Sequence, residues 1–167
     1  MLRYWILLLL PCWFLLLSAA LAEKPAPEPE VALSPEEKAL VQLTNEARKK
    51  EDLPELKVNA KLMKAARNHS ANMAKQEKMA HELDDKNPAD RLKDLGYAVG
   101  HLGENVAFGQ EKPQEAMETW MKSDDHRANI LGKDFTEMGV GVAKSAKGTL
   151  YWTQVFARPP KPKPPAP

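Results

Sequence analysis

The chain has 167 residues, with 24 Lys and Arg against 23 Asp and Glu, four histidines and one cysteine. The net charge is therefore close to zero, and no basic stripe with interleaved aromatic residues is present in the sequence. Both features argue against nucleic acid as a partner. The one cysteine, Cys12, lies in the apolar leader, so the remaining chain has neither disulfides nor thiolate metal ligands.

The first 22 residues have the pattern of a secretory signal peptide. Arg3 supplies the positive start, residues 6–17 are mainly apolar, and Ala20-Leu21-Ala22 forms an A-x-A cleavage site. The apolar run is short and is interrupted by Pro11, which favours cleavage over a retained anchor. We therefore predict a secreted or extracytoplasmic protein of the periplasm or cell envelope, with no membrane span after cleavage.

Proline-rich segments flank one predicted domain. Residues 23–33 form a Pro-rich linker and residues 159–167 form a Pro/Lys-rich tail, and both compositions favour extended or disordered chain. Residues 34–158 between them are numerous enough for one domain with its own core. We find no internal repeat.

Capping signals predict the first helices in chain order. Ser34-Pro35-Glu36-Glu37 forms a capping box with proline at the first helical position. Asn59 begins a second helix, and Asn87-Pro88 begins a short third helix that ends at Gly96. The apolar stripe of the second helix includes His69, which is interpreted as a buried, hydrogen-bonded histidine rather than a ligand.

The second half of the domain contains the predicted strands. Val106 and Phe108 have the spacing of a short strand, Pro113 starts another helix, and residues 138–144 and 149–157 form a hairpin. Apolar residues on both faces of the last strand indicate a sheet that is covered on both sides. Helices first and a hairpin last predict an α+β sandwich.

Two histidines lie where a site is plausible. His81 follows the second helix, and a polar break at Ser123-Asp124-Asp125 puts His126 on a short segment between apolar anchors. Either Ser123 or Asp124 is expected to cap the following turn. A structural loop that needs no chemistry is the alternative interpretation. His101, in a Gly-flanked loop, is expected to be exposed.

Five blocks of the sequence together resemble a bacterial member of the CAP superfamily, which includes cysteine-rich secretory proteins, antigen 5 and pathogenesis-related proteins. The blocks occur in order over about residues 37–157, so the resemblance covers nearly the whole domain. They are Ala80-His81, Gly103-Glu104-Asn105-Val106-Ala107, Trp120-x-x-Ser123-x-x-His126-Arg127-x-Asn129-Ile130-Leu131, Gly139-Val140-Gly141-Val142 and Tyr151-Trp152-Thr153-Gln154-Val155-Phe156.

The resemblance implies a three-layer α-β-α sandwich with a small, mainly antiparallel sheet and an open central cleft. In eukaryotic members two His and two Glu line this cleft and can hold a divalent cation. His81 matches the first His and Glu104 the first Glu, whereas Ser123 and Tyr151 stand where the second Glu and second His would be. His126 belongs to the bacterial His-Arg-x-Asn pattern.

The resemblance therefore predicts a cleft lined by His81, Glu104, Ser123, His126 and Tyr151. His81, Glu104 and His126 are a compatible set for Zn²⁺ or another divalent cation, with an open position for water. The metal-free alternative is a Glu104–His81 hydrogen bond that organises the cleft. No cofactor follows from the sequence with certainty.

Three functions fit this cleft. The leading interpretation is a binding module for a small or extended ligand such as a lipid, glycan or peptide. The alternative is a hydrolase such as a peptidase, in which the catalytic candidates are His81, Glu104 and His126. The third is a structural envelope protein with an inert cleft. No nucleophile elbow or His-Glu-x-x-His helix is present in the sequence, which favours binding over catalysis. The sequence leaves the oligomeric state open.

Overall fold

The computed structural model describes residues 31–161. The predicted signal peptide, most of the predicted linker and the end of the predicted tail lie outside these residues. The helices are α1 (Pro35–Lys50), α2 (Ala60–Gln76), α3 (Pro88–Asp94), α4 (Pro113–Met121) and α5 (Asp124–Ile130). The strands are β1 (Lys57–Val58), β2 (His101–Phe108), β3 (Glu137–Lys144) and β4 (Leu150–Arg158). Within residues 31–161, no helix has the length and apolar character that crossing a membrane requires.

The four strands form one sheet in the order β1-β3-β4-β2. β4 pairs antiparallel with both β3 and β2, whereas the short β1 pairs parallel with β3. The predicted hairpin is therefore confirmed as β3–β4. β1 was not predicted, because two residues are too few to show a periodicity. β2, which carries Glu104, lies at an edge of the sheet.

Helices cover both faces of this sheet, which confirms the predicted three-layer α-β-α sandwich. On one face, α2 packs closely against β3 at Gly139 and Gly141. On the other face, Trp152 and Phe156 share a core with α1, α4 and α5. The helical residues of that core include Leu40, Trp120 and Ile130. Because successive side chains of a strand point to opposite faces, β4 contributes to both cores.

The capping signals were correct for three helices and incomplete for α5. Ser34 and Glu37 form the predicted capping box, and Asn59 accepts hydrogen bonds from two backbone N–H groups of α2. Asn87 also caps α3, with a capping box completed by Asp90. Ser123 occupies the N-cap position of α5, but its side chain makes no capping hydrogen bond. The N-terminus of α5 therefore depends on the tertiary contacts of that helix.

The packed part of the described chain begins before α1. Val31 and Leu33 are partly buried against the core. The Arg67 guanidinium of α2 donates to the carbonyl oxygen of Ala32 at 2.7 Å and to both carboxylate oxygens of Glu37 at 2.6 and 2.7 Å. This contact holds the entry to α1 against α2, so packing extends three residues beyond the predicted domain start at residue 34.

Candidate functional site

Glu104 and His81 lie in direct contact, although they are 23 residues apart in sequence. β2 supplies Glu104, whose side chain is only 3% exposed, and the loop after α2 supplies His81, whose ring is 54% exposed. His81 Nδ1 lies 2.9 Å from Glu104 Oε1. An ionised carboxylate can only accept hydrogen bonds, so Nδ1 carries the proton of this bond. The Glu104–His81 hydrogen bond that the sequence offered as one alternative is present.

Arg91 of α3 holds this pair in place, a role that was not predicted from the sequence. Its Nη2 donates to Glu104 Oε2 at 2.5 Å, and its Nη1 donates at 2.9 Å to the carbonyl oxygens of His81 and of Lys86. One guanidinium therefore fixes both the carboxylate and the backbone of the loop that carries the imidazole. The chain shows no local signal for this role, because an arginine in the last turn of a short helix is ordinarily a surface residue.

His69 forms the buried back of the site. Its ring is 1% exposed, its Nε2 lies 2.8 Å from the carbonyl oxygen of Ala80, and the same atom lies 3.9 Å from Glu104 Oε1. The prediction of a buried, hydrogen-bonded histidine is confirmed. Burial lowers the pKa of His69, while the charge on Glu104 opposes this shift. Because desolvation has the larger effect, the ring stays neutral to lower pH than an exposed histidine.

We expect the free energy of unfolding to fall as pH drops below about 6.5, the usual histidine pKa. Above that pH His69 is neutral in both states. Below it the unfolded chain binds a proton that the folded chain does not, so stability is lost. The slope approaches about 1.4 kcal/mol per pH unit for each such histidine. Urea unfolding at neutral and mildly acidic pH measures the fall.

His69→Gln is the matched variant for this pH dependence, because an amide can still donate to the Ala80 carbonyl oxygen but does not titrate. We expect a shallower fall in this variant. An equal fall in His69→Gln and in the unaltered protein would contradict the assignment.

His126, on α5, approaches the pair from the opposite layer of the sandwich. Burial is the largest cause that lowers the pKa of His126, and the charge on His81 lowers it further, against an opposing effect of Asp125. His126 Nδ1 is buried and has no hydrogen-bond partner among the described residues. The link of His126 to this part of β2 is through the backbone, since the carbonyl oxygen of His126 accepts from Asn105, the residue after Glu104; no hydrogen bond joins the imidazoles of His81 and His126 in residues 31–161.

Amide side chains join α5 to β2. Asn129 Nδ2 donates to the carbonyl oxygen of Glu104 at 3.2 Å and to Asn105 Oδ1 at 2.9 Å, and Asn105 Nδ2 donates to the carbonyl oxygen of His126 at 3.1 Å. Trp120 Nε1 donates to the carbonyl oxygen of Val106 at 3.1 Å. These bonds hold α5 beside Glu104 and occupy two backbone acceptors on the free edge of β2.

Ser123 and Tyr151, the two other residues predicted to line the cleft, have different surroundings. Ser123 is half-buried at the start of α5, and in residues 31–161 no hydrogen bond joins it to His81 or Glu104. Tyr151 faces the same side of the sheet as Glu104, but its ring is buried and stacks on exposed Phe108 with 5.8 Å between centroids. Ligand contact by either residue stays a prediction.

The residues of the cleft do not fit the predicted cation site. Among residues 31–161, no group of three His, Cys, Asp or Glu side chains is arranged to hold a metal ion. Both Glu104 oxygens already accept strong hydrogen bonds, from His81 and from Arg91. Within the described chain, His81, Glu104 and His126 therefore do not form the Zn²⁺ set expected from their residue types.

Comparison with known proteins identifies the family of this chain. The pattern described as "Cysteine-rich secretory protein family" (CAP) matches residues 41–156. Protein YkwD of Bacillus subtilis, itself uncharacterised, is 38% identical over 126 residues, which are 75% of this chain and 48% of that protein. A second B. subtilis relative, the uncharacterised membrane protein YlbC, is 31% identical and is covered over 34% of its length. The chain therefore spans half or less of the curated relatives it matches.

Solved structures show the same fold. An outer surface protein of Borrelia burgdorferi superimposes with a TM-score of 0.72 at 20% identity, over 77% of this chain and 96% of that one. An extracellular protein of Bacillus anthracis that contains an SCP domain superimposes with a TM-score of 0.68 at 27% identity. That superposition covers 77% of this chain and 45% of the B. anthracis chain.

Proposed function

This chain belongs to the cysteine-rich secretory protein (CAP) family, and we propose that it is an extracytoplasmic binding module whose cleft, at His81, Glu104 and His126, holds a small or extended ligand. The 2.9 Å bond between His81 Nδ1 and buried Glu104 carries the proposal. With Nδ1 committed to the carboxylate, Nε2 of the half-exposed ring is left for a ligand. The cleft thus offers one oriented hydrogen-bonding atom at the surface.

The backbone around Glu104 supports a ligand that binds through its own polar groups. The carbonyl oxygens of Glu104 and Val106 already accept hydrogen bonds from Asn129 and Trp120. A peptide that extended the sheet at β2 would find these two acceptors occupied. A lipid headgroup, a glycan or a peptide side chain does not need them. These contacts therefore favour recognition by the imidazoles over strand addition.

Two observations support the extracytoplasmic location. The first 22 residues have a signal-peptide pattern, and the B. anthracis protein of the same fold is described as extracellular. With the positively charged leader residue removed, 23 basic and 23 acidic residues remain. This balance gives the domain no general attraction to anionic surfaces, so the specificity of binding falls to the cleft.

We expect His81→Gln to weaken ligand binding at least about tenfold, which corresponds to about 1.4 kcal/mol, because the oriented Nε2 is lost. His101→Gln is the matched control, since His101 is an exposed histidine on β2 that packs on Phe135. Palmitate, chitohexaose and tetra-alanine serve as probes of the three ligand classes, and saturable thermal stabilisation is the measurement. Equal affinity in the unaltered protein and in His81→Gln would contradict the proposal that the ligand binds at His81.

Hydrolysis is a second candidate function, because a buried carboxylate that orients an exposed imidazole is also the arrangement of a general base. Glu104 has both oxygens engaged, so the base would be His81. Turnover of a peptide or glycan substrate that falls at least about a hundredfold in His81→Gln would select this function. Binding that saturates without turnover selects the binding module.

A further inference from the structure

Three side-chain amides, which we call the amide triad, meet behind the proposed cleft. They are Asn105 on β2, Gln154 on β4 and Asn129 on α5, and each belongs to a different one of the five sequence blocks. Asn105 follows Glu104 on the same strand, so the two side chains point to opposite faces of the sheet. Asn105 and Gln154 are fully buried and are register partners across β2 and β4. The proposed cleft uses none of these amides.

The triad is anchored at one end to α1. Gln154 Nε2 donates to Thr44 Oγ1 at 2.8 Å, and the Thr44 hydroxyl donates to the carbonyl oxygen of Leu40 at 2.7 Å. On the other side of Gln154, its Oε1 accepts from Asn105 Nδ2 at 3.2 Å. Thr44 is fully buried, like Asn105 and Gln154. A continuous row of hydrogen bonds therefore runs from α1 across β4 to β2.

These contacts permit one orientation of the amides. The Leu40 carbonyl oxygen can only accept, so it takes the Thr44 proton and leaves the Thr44 oxygen as an acceptor. Gln154 therefore turns Nε2 to Thr44 and Oε1 to Asn105. Asn105 must then present its NH₂ group to Gln154, and the same NH₂ group donates to the carbonyl oxygen of His126. The direction set at α1 thus determines which atom of Asn105 meets α5.

The position of α5 depends on such contacts. This helix has seven residues, and its N-cap Ser123 makes no side-chain capping bond. Helices this short are not stable by themselves in water. Asn105 holds the His126 carbonyl oxygen from one side, while Asn129 Nδ2 donates to Asn105 Oδ1 and to the carbonyl oxygen of Glu104. The side chain of Asn105 therefore uses both its donor and its acceptor between β2, β4 and α5.

The triad lies in an apolar region. Gln154 lies between Trp152 and Phe156 on the same face of β4, and both aromatic rings belong to the core shared with α1, α4 and α5. A buried polar network with every bond made adds little net stability, because equivalent bonds to water are lost on folding. It does specify one arrangement of the elements that it joins, since any other leaves buried groups unpaired.

We propose that Asn105 is a positioning residue of the cleft, which fixes the His126 backbone and with it α5 against β2, and that Gln154 and Thr44 set the orientation of its amide. The consequence for a ligand rests on the proposed function of the cleft. The placement of α5 does not, so the two are tested separately.

The test of placement compares Asn105→Leu, which removes every side-chain bond of Asn105, with Thr44→Val, which breaks the row only at α1. Thr44→Val retains the bond to His126 and is therefore the matched control within one network. Hydrogen exchange is followed by NMR at the Arg127 and Leu131 amides, which bond to carbonyl groups one turn before them. We expect both variants to unfold more easily. Only Asn105→Leu should speed exchange in α5 at least about tenfold more than in α2.

Two results would overturn the placement of α5 by Asn105. One is exchange in α5 that rises no more than in α2 for Asn105→Leu, and the other is an equal rise in Thr44→Val. The unaltered protein supplies a measurement that needs no variant to fold. We expect nuclear Overhauser contacts between the Asn105 side-chain amide protons and the backbone protons of residues 126 and 127. Their absence would contradict the proposal as well.

The ligand arm uses whichever of palmitate, chitohexaose and tetra-alanine stabilises the unaltered protein. We expect at least about tenfold weaker binding in Asn105→Leu, measured where the variant is folded, and unchanged binding in Thr44→Val. Unchanged affinity in Asn105→Leu would show that the ligand does not depend on α5, and would overturn the positioning role in the cleft. If no probe binds the unaltered protein, the proposed function fails, while the exchange experiment still decides whether Asn105 places α5.

Discussion

Gly139→Ala is expected to unfold the domain or to lower its free energy of unfolding by at least about 3 kcal/mol. A Cβ at this position of β3 would lie 2.1 Å from the Leu62 carbonyl carbon and 2.3 Å from Met63 N, both in the backbone of α2. Backbone atoms cannot rotate away as a flexible side chain can, so the helix itself would have to leave the sheet. Urea unfolding followed by far-UV circular dichroism measures the loss.

Gly148→Ala is the control that separates crowding from backbone conformation. Gly148 has a φ of +88° in the β3–β4 turn, and nothing lies within 4 Å of a Cβ built there. We expect a cost of about 1 kcal/mol, from the left-handed backbone alone. If Gly139→Ala were no more damaging than Gly148→Ala, the contact between α2 and β3 would have to be looser than described. Because α2 carries His69, this contact also sets how closely the His69 ring approaches Glu104.

Arg48→Met is expected to lower the free energy of unfolding by about 4 kcal/mol, because it leaves three backbone carbonyl groups without a donor. Arg48 of α1 is fully buried, and burial lowers its pKa. Its Nε donates to the carbonyl oxygen of Pro54 at 2.9 Å, and its Nη1 donates to those of Ile130 and Gly132 at 2.8 and 2.9 Å. Methionine retains much of the volume and apolar surface but has no donor.

Arg127→Met is the matched control, since Arg127 is an exposed arginine of α5 whose partner is Asp124 at 3.0 Å. Exposed pairs of this kind contribute about 0.5 kcal/mol or less. Thermal unfolding of both variants against the unaltered protein makes the comparison. Similar losses in the two variants would show that the buried carbonyl groups find other partners. The expected loss in Arg48→Met would include disorder at the end of α5, and hence near His126.

The local features of this chain were readable without a structure. Ser34 with Glu37, and Asn59, mark helix starts through side chains that bond to backbone groups two or three residues away. The alternation in β4 is equally local, because a strand repeats every two residues. Ser123 is a case in which the local signal was insufficient. It has the right residue type at an N-cap, yet its side chain makes no cap.

The candidate site was only partly predictable. The resemblance to the CAP superfamily predicted that His81, Glu104 and His126 line one cleft. The bond between His81 and Glu104 is present in the structure. It also suggested a divalent cation, which requires oxygen and nitrogen atoms that converge with free lone pairs. Arg91 takes up the second oxygen of Glu104 instead. No spacing in the sequence signals that contact, since it joins a short helix to an edge strand across 13 residues.

The amino-acid sequence alone determined where α1, α2 and α3 begin, that a hairpin ends the domain, which faces are apolar and which family the chain resembles. These features depend on neighbours a few residues apart or on residue types in a fixed order. Tertiary structure alone decided that Glu104 is held by Arg91, that the Ser123 side chain makes no capping hydrogen bond and that His69 borders a cavity between α2 and α3. Those outcomes depend on how close side chains from different elements approach after packing, and a distance of one or two ångströms there decides between a hydrogen bond, a metal ligand and an empty space.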